Sequence, residues 1–221
     1  MIITDRFIAD ILQNRFNKAI LQRLGDLTLP DAWLVAGCLF QTLWNLRSGQ
    51  APETNIRDYD IFYFDDGDLS EAAEAQINEQ ASALFEDLGV PVEVKNQARV
   101  HTWYESYFGR PYAPLKSTCE GVDRFLVGCT SLGIRCVSEP TEHYDVYAPN
   151  GLVDTYNGVL IPNLKFDNGG LFEPKCRDYQ TRWPWLRIQP YDLNGTESAE
   201  SKRAELVNHK YSKNSTNLNH L

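Results

Sequence analysis

Asp58-Tyr59-Asp60-Ile61-Phe62-Tyr63-Phe64, preceded by Trp33-Leu34-Val35-Ala36-Gly37-Cys38, is the part of the chain around which the remainder organises. Side chains of a β-strand alternate between its two faces. A strand here sends Asp58 and Asp60 to one side and Tyr59, Ile61 and Tyr63 to the other. Two like charges that close repel unless water or a cation separates them, and a hard, oxygen-liganded ion such as Mg²⁺ suits the pair. A solvated D-x-D at a loop-to-strand junction is the alternative, because Asp is frequent where chains turn. Asp66-Gly67-Asp68 illustrates that alternative: the glycine marks a turn, and Asp68 with Glu71 after it reads as a helix N-cap.

Upstream, Phe7, Ile8, Ile11, Leu12, Phe16, Ile20 and Leu21 recur at helical spacing and predict one scaffold helix over about Thr4 to Leu24. Trp33 to Val35 reads as a short buried strand ended by Gly37, and Leu39 to Leu46 as a helix. The first turn of that helix, at Gly37 and Cys38, offers free backbone N–H groups to a phosphate, although an ordinary strand-to-helix turn has the same pattern. Downstream, Asp68 to Leu88 is an amphipathic helix stopped by Gly89. Val90 to Lys95 alternates, with Val92 and Val94 on one face and Glu93 and Lys95 on the other. If this strand lies beside the Asp58 strand, Glu93 points at the same cation. Asn96 to Glu105 reads as a helix. In it Arg99, next to Lys95 and Asn96, could hold a phosphate bidentately or simply be solvated. His101 reads as packed and hydrogen-bonded rather than as a general base, and the pair Trp103 and Tyr104 as core rather than a base-stacking platform.

Further along, Ser117 or Thr118 caps a helix expected to run to about Gly128. Leu132 to Val137 and Tyr144 to Tyr147 read as strands that extend the sheet in antiparallel fashion, joined by a polar loop containing Pro140. Asn150-Gly151 is a turn, Val159 to Ile161 a short apolar piece, and Phe172 to Ile188 a helical pattern broken at Pro184. These elements make one domain over residues 1–191, with residues 192–221, polar and rich in Asn, Ser and Lys, as a mobile C-terminal tail.

The 221 residues suffice for one sizeable core, and 43% hydrophobic with 12% aromatic content is that of a soluble globular protein. No apolar run approaches a membrane span and the charged N-terminal stretch is unlike a signal peptide, so a cytoplasmic location is expected. The five cysteines show no C-x-x-C spacing, and the four histidines no metal-ligand pattern. A net charge of −9 argues against long nucleic acid as a partner, since a phosphate backbone demands a basic stripe.

Several phrases, taken together and in order, resemble a microbial family of predicted nucleotidyltransferases within the DNA polymerase beta-type superfamily. They are Val35-Ala36-Gly37-Cys38, Asp58-Tyr59-Asp60-Ile61, Lys95-Asn96-Gln97-Ala98-Arg99-Val100-His101, Asn150-Gly151-Leu152-Val153-Asp154 and Arg182-Trp183-Pro184. The superfamily pattern is a G-[GS] turn opening a helix, then D-x-D on one strand and a third acid on a neighbour. The similarity runs from about Ala32 to Ile188 and implies an α/β (α+β) fold: a mixed, twisted sheet with flanking helices around a polymerase beta-like core.

The resemblance implies that Asp58, Asp60 and Glu93 are the catalytic, metal-binding acids and that Gly37 and Cys38 are the phosphate-cradling turn, with Lys95, Asn96 and Arg99 as further nucleotide-binding candidates. It implies two Mg²⁺ ions, with Mn²⁺ as substitute, and transfer of a nucleoside monophosphate from a nucleoside triphosphate such as ATP to an unidentified acceptor. Cys38 departs from the pattern, because a thiol is a poorer hydrogen-bond donor than a hydroxyl; backbone N–H contacts would survive it. Two other readings use the same acids or the same fold: a non-catalytic nucleotide- or protein-binding module, and a metal-dependent phosphohydrolase.

Overall fold

The computed structural model describes residues 3–137, 143–165 and 170–189. The C-terminal tail expected at 192–221 and the Pro140 loop fall outside them. Residues up to Gln189 form a compact unit by themselves.

Its centre is a five-stranded mixed sheet of order β3-β2-β1-β4-β5. β1 (Trp33–Val35) runs antiparallel to both β2 (Tyr59–Tyr63) and β4 (Gly133–Val137), while β2 and β3 (Val92–Asn96) are parallel. β5 (His143–Tyr147) closes the far edge as the antiparallel partner of β4. This is the mixed sheet with flanking helices expected from the sequence. Alternation divides its two faces: Leu34, Tyr59, Ile61, Val94 and Ile134 enter the main core, and Trp33, Val35 and Phe62 lie on the opposite side against Val122 and Phe125.

The single N-terminal helix expected over Thr4 to Leu24 is two, α1 (Ile3–Ile11) and α2 (Arg15–Arg23), because Asn14 interrupts it. The Asn14 carboxamide oxygen accepts from the N–H groups of Phe16 and Asn17, an N-cap that starts a new helix. Its amide donates to Thr42 Oγ1 at 3.0 Å and Tyr59 Oη at 3.3 Å. Thr42 in turn donates to Cys38 O, as does Asn17. The corner between the first two helices is therefore fastened to the first turn of α3 (Gly37–Arg47) by a buried polar network.

α4 (Glu71–Phe85) begins two residues later than expected. Ser70, not Asp68, is its N-cap, with Ser70 Oγ accepting from Ala73 N; Asp68 Oδ1 instead accepts from Ser70 N at 2.8 Å. From this helix Asn78 completes the outer edge of β3: its oxygen accepts from Val94 N at 2.9 Å and its amide donates to Val94 O at 2.8 Å. One side chain thus stands in for a missing neighbouring strand. Asn78→Ala leaves both backbone groups without these partners and is expected to cost about 1–2 kcal/mol. Urea denaturation, with loss of amide-exchange protection at Val94, checks it.

One 3₁₀ turn leads from β3 into α5 (Val100–Phe108). α6 (Thr118–Val122) stops well short of Gly128. Beyond it the backbone is drawn into other pairings: Val127 bridges Pro162, and Gly128 N donates to Ile161 O at 2.8 Å. α7 (Val153–Asn157) and β6 (Val159–Leu160) follow. α8 (Phe172–Arg182) ends before Pro184, which lacks the N–H a helix interior needs, and β7 (Arg187–Ile188) returns parallel to β6. No helix among the described residues is long and apolar enough to cross a membrane.

Candidate active site

A cleft of about 840 Å³ opens on the sheet face opposite the main core. Asp58, at the entry to β2, and Asp60, within it, line the cleft together with Phe62 and Lys95. The parallel register sets Asp60 directly beside Glu93 and Phe62 beside Lys95. Parallel pairing in this register gives the two strands the same pleat, so Glu93 shares the Asp60 face. Its carboxylate is held by Lys95 Nζ at 3.3 Å.

The Asp60 carboxyl is pushed up to about 7, first by burial and then by the charges of Asp58 and Glu93, against only partial relief from Lys95 and Lys175. A carboxyl in that condition lacks positive charge. Three oxygen acids are the donor chemistry of a hard divalent cation, and the deficit at Asp60 is of the sign such an ion would correct. Asp58 and Asp60 fit as two ligands. Among the described residues no three acidic, His or Cys side chains are gathered closely enough to hold one ion, so Glu93 would join only by leaving Lys95.

Beside the acids, Ala36 turns the chain from β1 into α3 with φ 62° and ψ −127°, a conformation that only glycine adopts freely. Holding an alanine there costs on the order of 1–3 kcal/mol. Ala36 and Gly37 both line the cleft, and the Gln41 amide lies so near that a Cβ at Gly37 would come within 2.7 Å of Gln41 Nε2.

The Cys38 side chain does not face the cleft. It is fully buried in the main core, its thiol donating to Val35 O at 3.3 Å, and burial with the nearby charges of Asp60 and Asp58 holds the thiol well above its usual range. The departure from Gly or Ser at this position is therefore absorbed by the core.

Two other sequence candidates are occupied structurally. Asn96 is buried; its oxygen accepts from Asp65 N and Ala98 N, and its amide donates to Asp65 O at 2.8 Å. Arg99 is ion-paired with Glu74 and donates from Nε to Leu69 O, so its guanidinium secures α4 against the turn after β3. Both border the cleft, but the hydrogen bonds just named tie them to the fold.

Sequence reasoning missed the opposite wall. α8 brings Lys175 and Arg182 to the cleft, where the Lys175 charge is felt at Asp60 and the Asp58 charge at Arg182. Arg182 Nη1 donates to Gln41 Oε1 at 2.8 Å, which ties this wall to α3. Helix-spaced basic residues far along the chain carry no local signal that they close on β2. A second group lies on α5: Trp103 and Tyr104, expected to be core, line the cleft instead, and Phe108 joins them.

A mixed sheet with an acid pair at the head of one strand, a third acid on its parallel neighbour and a helix opening beside them is the polymerase beta-type nucleotidyltransferase fold. The chain belongs to the nucleotidyltransferase family, which it matches over residues 22–188. Among solved structures it is similar to a protein whose NMR structure is described as revealing a CCA-adding enzyme head domain. Identity is 26% with a TM-score of 0.65, over 79% of this chain and 89% of the other. No curated protein matches the sequence.

Proposed function

We propose that this chain transfers a nucleoside monophosphate from a nucleoside triphosphate, ATP among them, to a nucleophilic acceptor, with Asp58, Asp60 and Glu93 as its catalytic acids. The observation that carries the reading is the parallel register of β2 and β3, which sets Glu93 beside Asp60 on one face of the sheet in a chain of the nucleotidyltransferase family. The acceptor oxygen attacks the α-phosphorus, the bond to the β-phosphate bridging oxygen breaks, and pyrophosphate leaves. The acceptor proton passes to Glu93 once its carboxylate is released from Lys95. Lys175 and Arg182 receive the triphosphate, with the first-turn N–H groups of α3 and with Lys95. Asp58, Asp60 and Glu93 would hold Mg²⁺, with Mn²⁺ as a substitute, and the metal would supply charge neutralisation at the transferred phosphate and the leaving pyrophosphate.

Asp58→Asn and Glu93→Gln are each expected to lower Mg²⁺-dependent pyrophosphate release at least about a hundredfold with the thermal midpoint preserved. Undiminished turnover in the double variant, assayed against a panel of hydroxyl acceptors, overturns the assignment. The Glu93–Lys95 pair favours one rival: a nucleotide-binding module on the same fold that has lost its chemistry. Calorimetry separates them, since such a module binds nucleoside triphosphate and never releases pyrophosphate.

A further inference from the structure

The cleft has an end that phosphate and metal chemistry leave unused. From Asp60 the strand continues to Phe62 on the same face, and the Phe62 ring meets Phe125 edge-on at 5.9 Å. Beyond Phe62 and its neighbour Lys95, β3 passes into α5, which sets Trp103, Tyr104 and Phe108 along the cleft, and Tyr112 follows. The rings are layered. Tyr104 lies 4.6 Å from Phe108 and 4.4 Å from Tyr112 at interplanar angles of 39° and 40°, and the Arg124 guanidinium sits 4.4 Å over the Tyr112 ring.

Burial is what aromatic rings normally gain from such clustering, yet Trp103 and Phe108 remain 36% and 46% exposed. The cost of leaving large apolar rings in water marks a surface made to be covered. The acid pair and the basic residues that face it lie apart from these rings. Asp58, Asp60, Lys175 and Arg182 gather at the other end of β2 with the first turn of α3, so a ligand anchored there by its anionic part presents its remaining body to the aromatic end.

We propose that Trp103, Tyr104, Phe108 and Tyr112 form the nucleobase subsite of this cleft, taking the planar ring of the nucleoside triphosphate by stacking. The inference rests on the nucleotidyltransferase reading and deepens it. The triphosphate is the one reactant that nucleotidyl transfer obliges to carry a heteroaromatic ring; the acceptor need offer only a nucleophile. Stacking on ring faces tolerates any base, because every base has a π-face, so the subsite contributes affinity and orientation more than base choice.

The test compares ATP with inorganic tripolyphosphate, which has the anionic part and no ring, in calorimetry on the full chain with Mg²⁺. The native protein is expected to bind ATP more tightly than tripolyphosphate. Trp103→Ala and Phe108→Ala, both at exposed positions, are each expected to weaken ATP about tenfold and leave tripolyphosphate unchanged. Trp103→Phe, which keeps a ring, restores most of the ATP affinity. ATP is also expected to quench tryptophan emission in the native protein but not in Trp103→Phe. Unchanged ATP affinity in both alanine variants overturns the subsite while leaving the nucleotidyltransferase reading intact, and the same result with a raised acceptor KM reassigns the rings to the acceptor. Failure of the native protein to bind either anion overturns both.

Discussion

Asp60→Asn is expected to abolish nucleotidyl transfer and, in the presence of a chelator at pH 8, to give a more stable protein than the native sequence. The two effects share one cause. Asp60 is a largely desolvated acid with Asp58 and Glu93 for neighbours, and its carboxyl is pushed up to about 7 from an ordinary 3.8. The unfolded chain ionises this group near 3.8, so between about pH 4 and 7 the folded protein holds a proton that the unfolded chain has released. Stability from this group is therefore fully present below about pH 4 and declines as pH rises through 7. At roughly 1.4 kcal/mol per pH unit the loss reaches a few kcal/mol.

An asparagine cannot ionise and escapes that loss. In metal-free thermal melts the midpoint of Asp60→Asn should exceed the native midpoint at pH 8, and the gap should close toward pH 4. Added Mg²⁺ should raise the native midpoint at pH 8 and leave that of the variant unmoved. Activity falls because the amide can neither neutralise a cation nor share one with Asp58, an effect expected to exceed about a thousandfold. A variant less stable than native at pH 8 would show that Asp60 is held by attractive contacts rather than strained by repulsive ones.

Trp183→Ala is expected to cost about 3–5 kcal/mol, the largest loss of stability from any single truncation considered for this fold. Trp183 is buried, its ring lies 5.2 Å from that of Trp44, and Nε1 donates to Asn45 Oδ1 at 3.0 Å. Asn45 also donates to Pro52 O and Thr54 O, which fixes the loop before Asp58. Phe40 and Tyr179 complete the aromatic cluster that seats α8 on α3.

Removing Trp183 leaves a cavity and takes away the donor to Asn45, and Arg182 and Lys175 lose the seat that aims them at the acids. A loss of this size is a large fraction of the 5–15 kcal/mol by which domains are stable. Urea denaturation reads the stability, and a raised KM for nucleoside triphosphate in the fraction still folded reads the displaced wall. Trp183→Phe keeps one aromatic ring in the cluster while losing the hydrogen bond and part of the indole volume, so it should cost less than the alanine variant, about 1–3 kcal/mol, with KM nearly native. Equal losses from both variants would mean that the hydrogen bond, not the packing, seats the helix.

What the sequence determined by itself was local. Alternation assigned Tyr59, Ile61 and Tyr63 to one face and Asp60 to the other because a strand's side-chain period is fixed by the backbone, and β2 obeys it. Spacing and caps found most helices, yet missed the break at Asn14, since an asparagine inside an apolar helical pattern shows its capping role only when Thr42 and Tyr59 are there to bond its amide. Separated phrases in a consistent order were enough to recognise the family.

Tertiary structure decided everything that depends on which distant segments meet. Register is a long-range property: nothing in Val92–Asn96 states that Glu93 will stand beside Asp60. Rotation about one helix axis carries the Cys38 thiol into the core and leaves its backbone at the turn. Asn96 and Arg99 resembled ligand-binding groups until Asp65 and Glu74 closed on them. Lys175 and Arg182 joined the site only because the Trp44–Trp183 packing folds the far end of the chain back over β2. A side chain's chemistry is written in its residue type, but whether that chemistry is spent inside the fold or left facing a cleft is set by its neighbours in space.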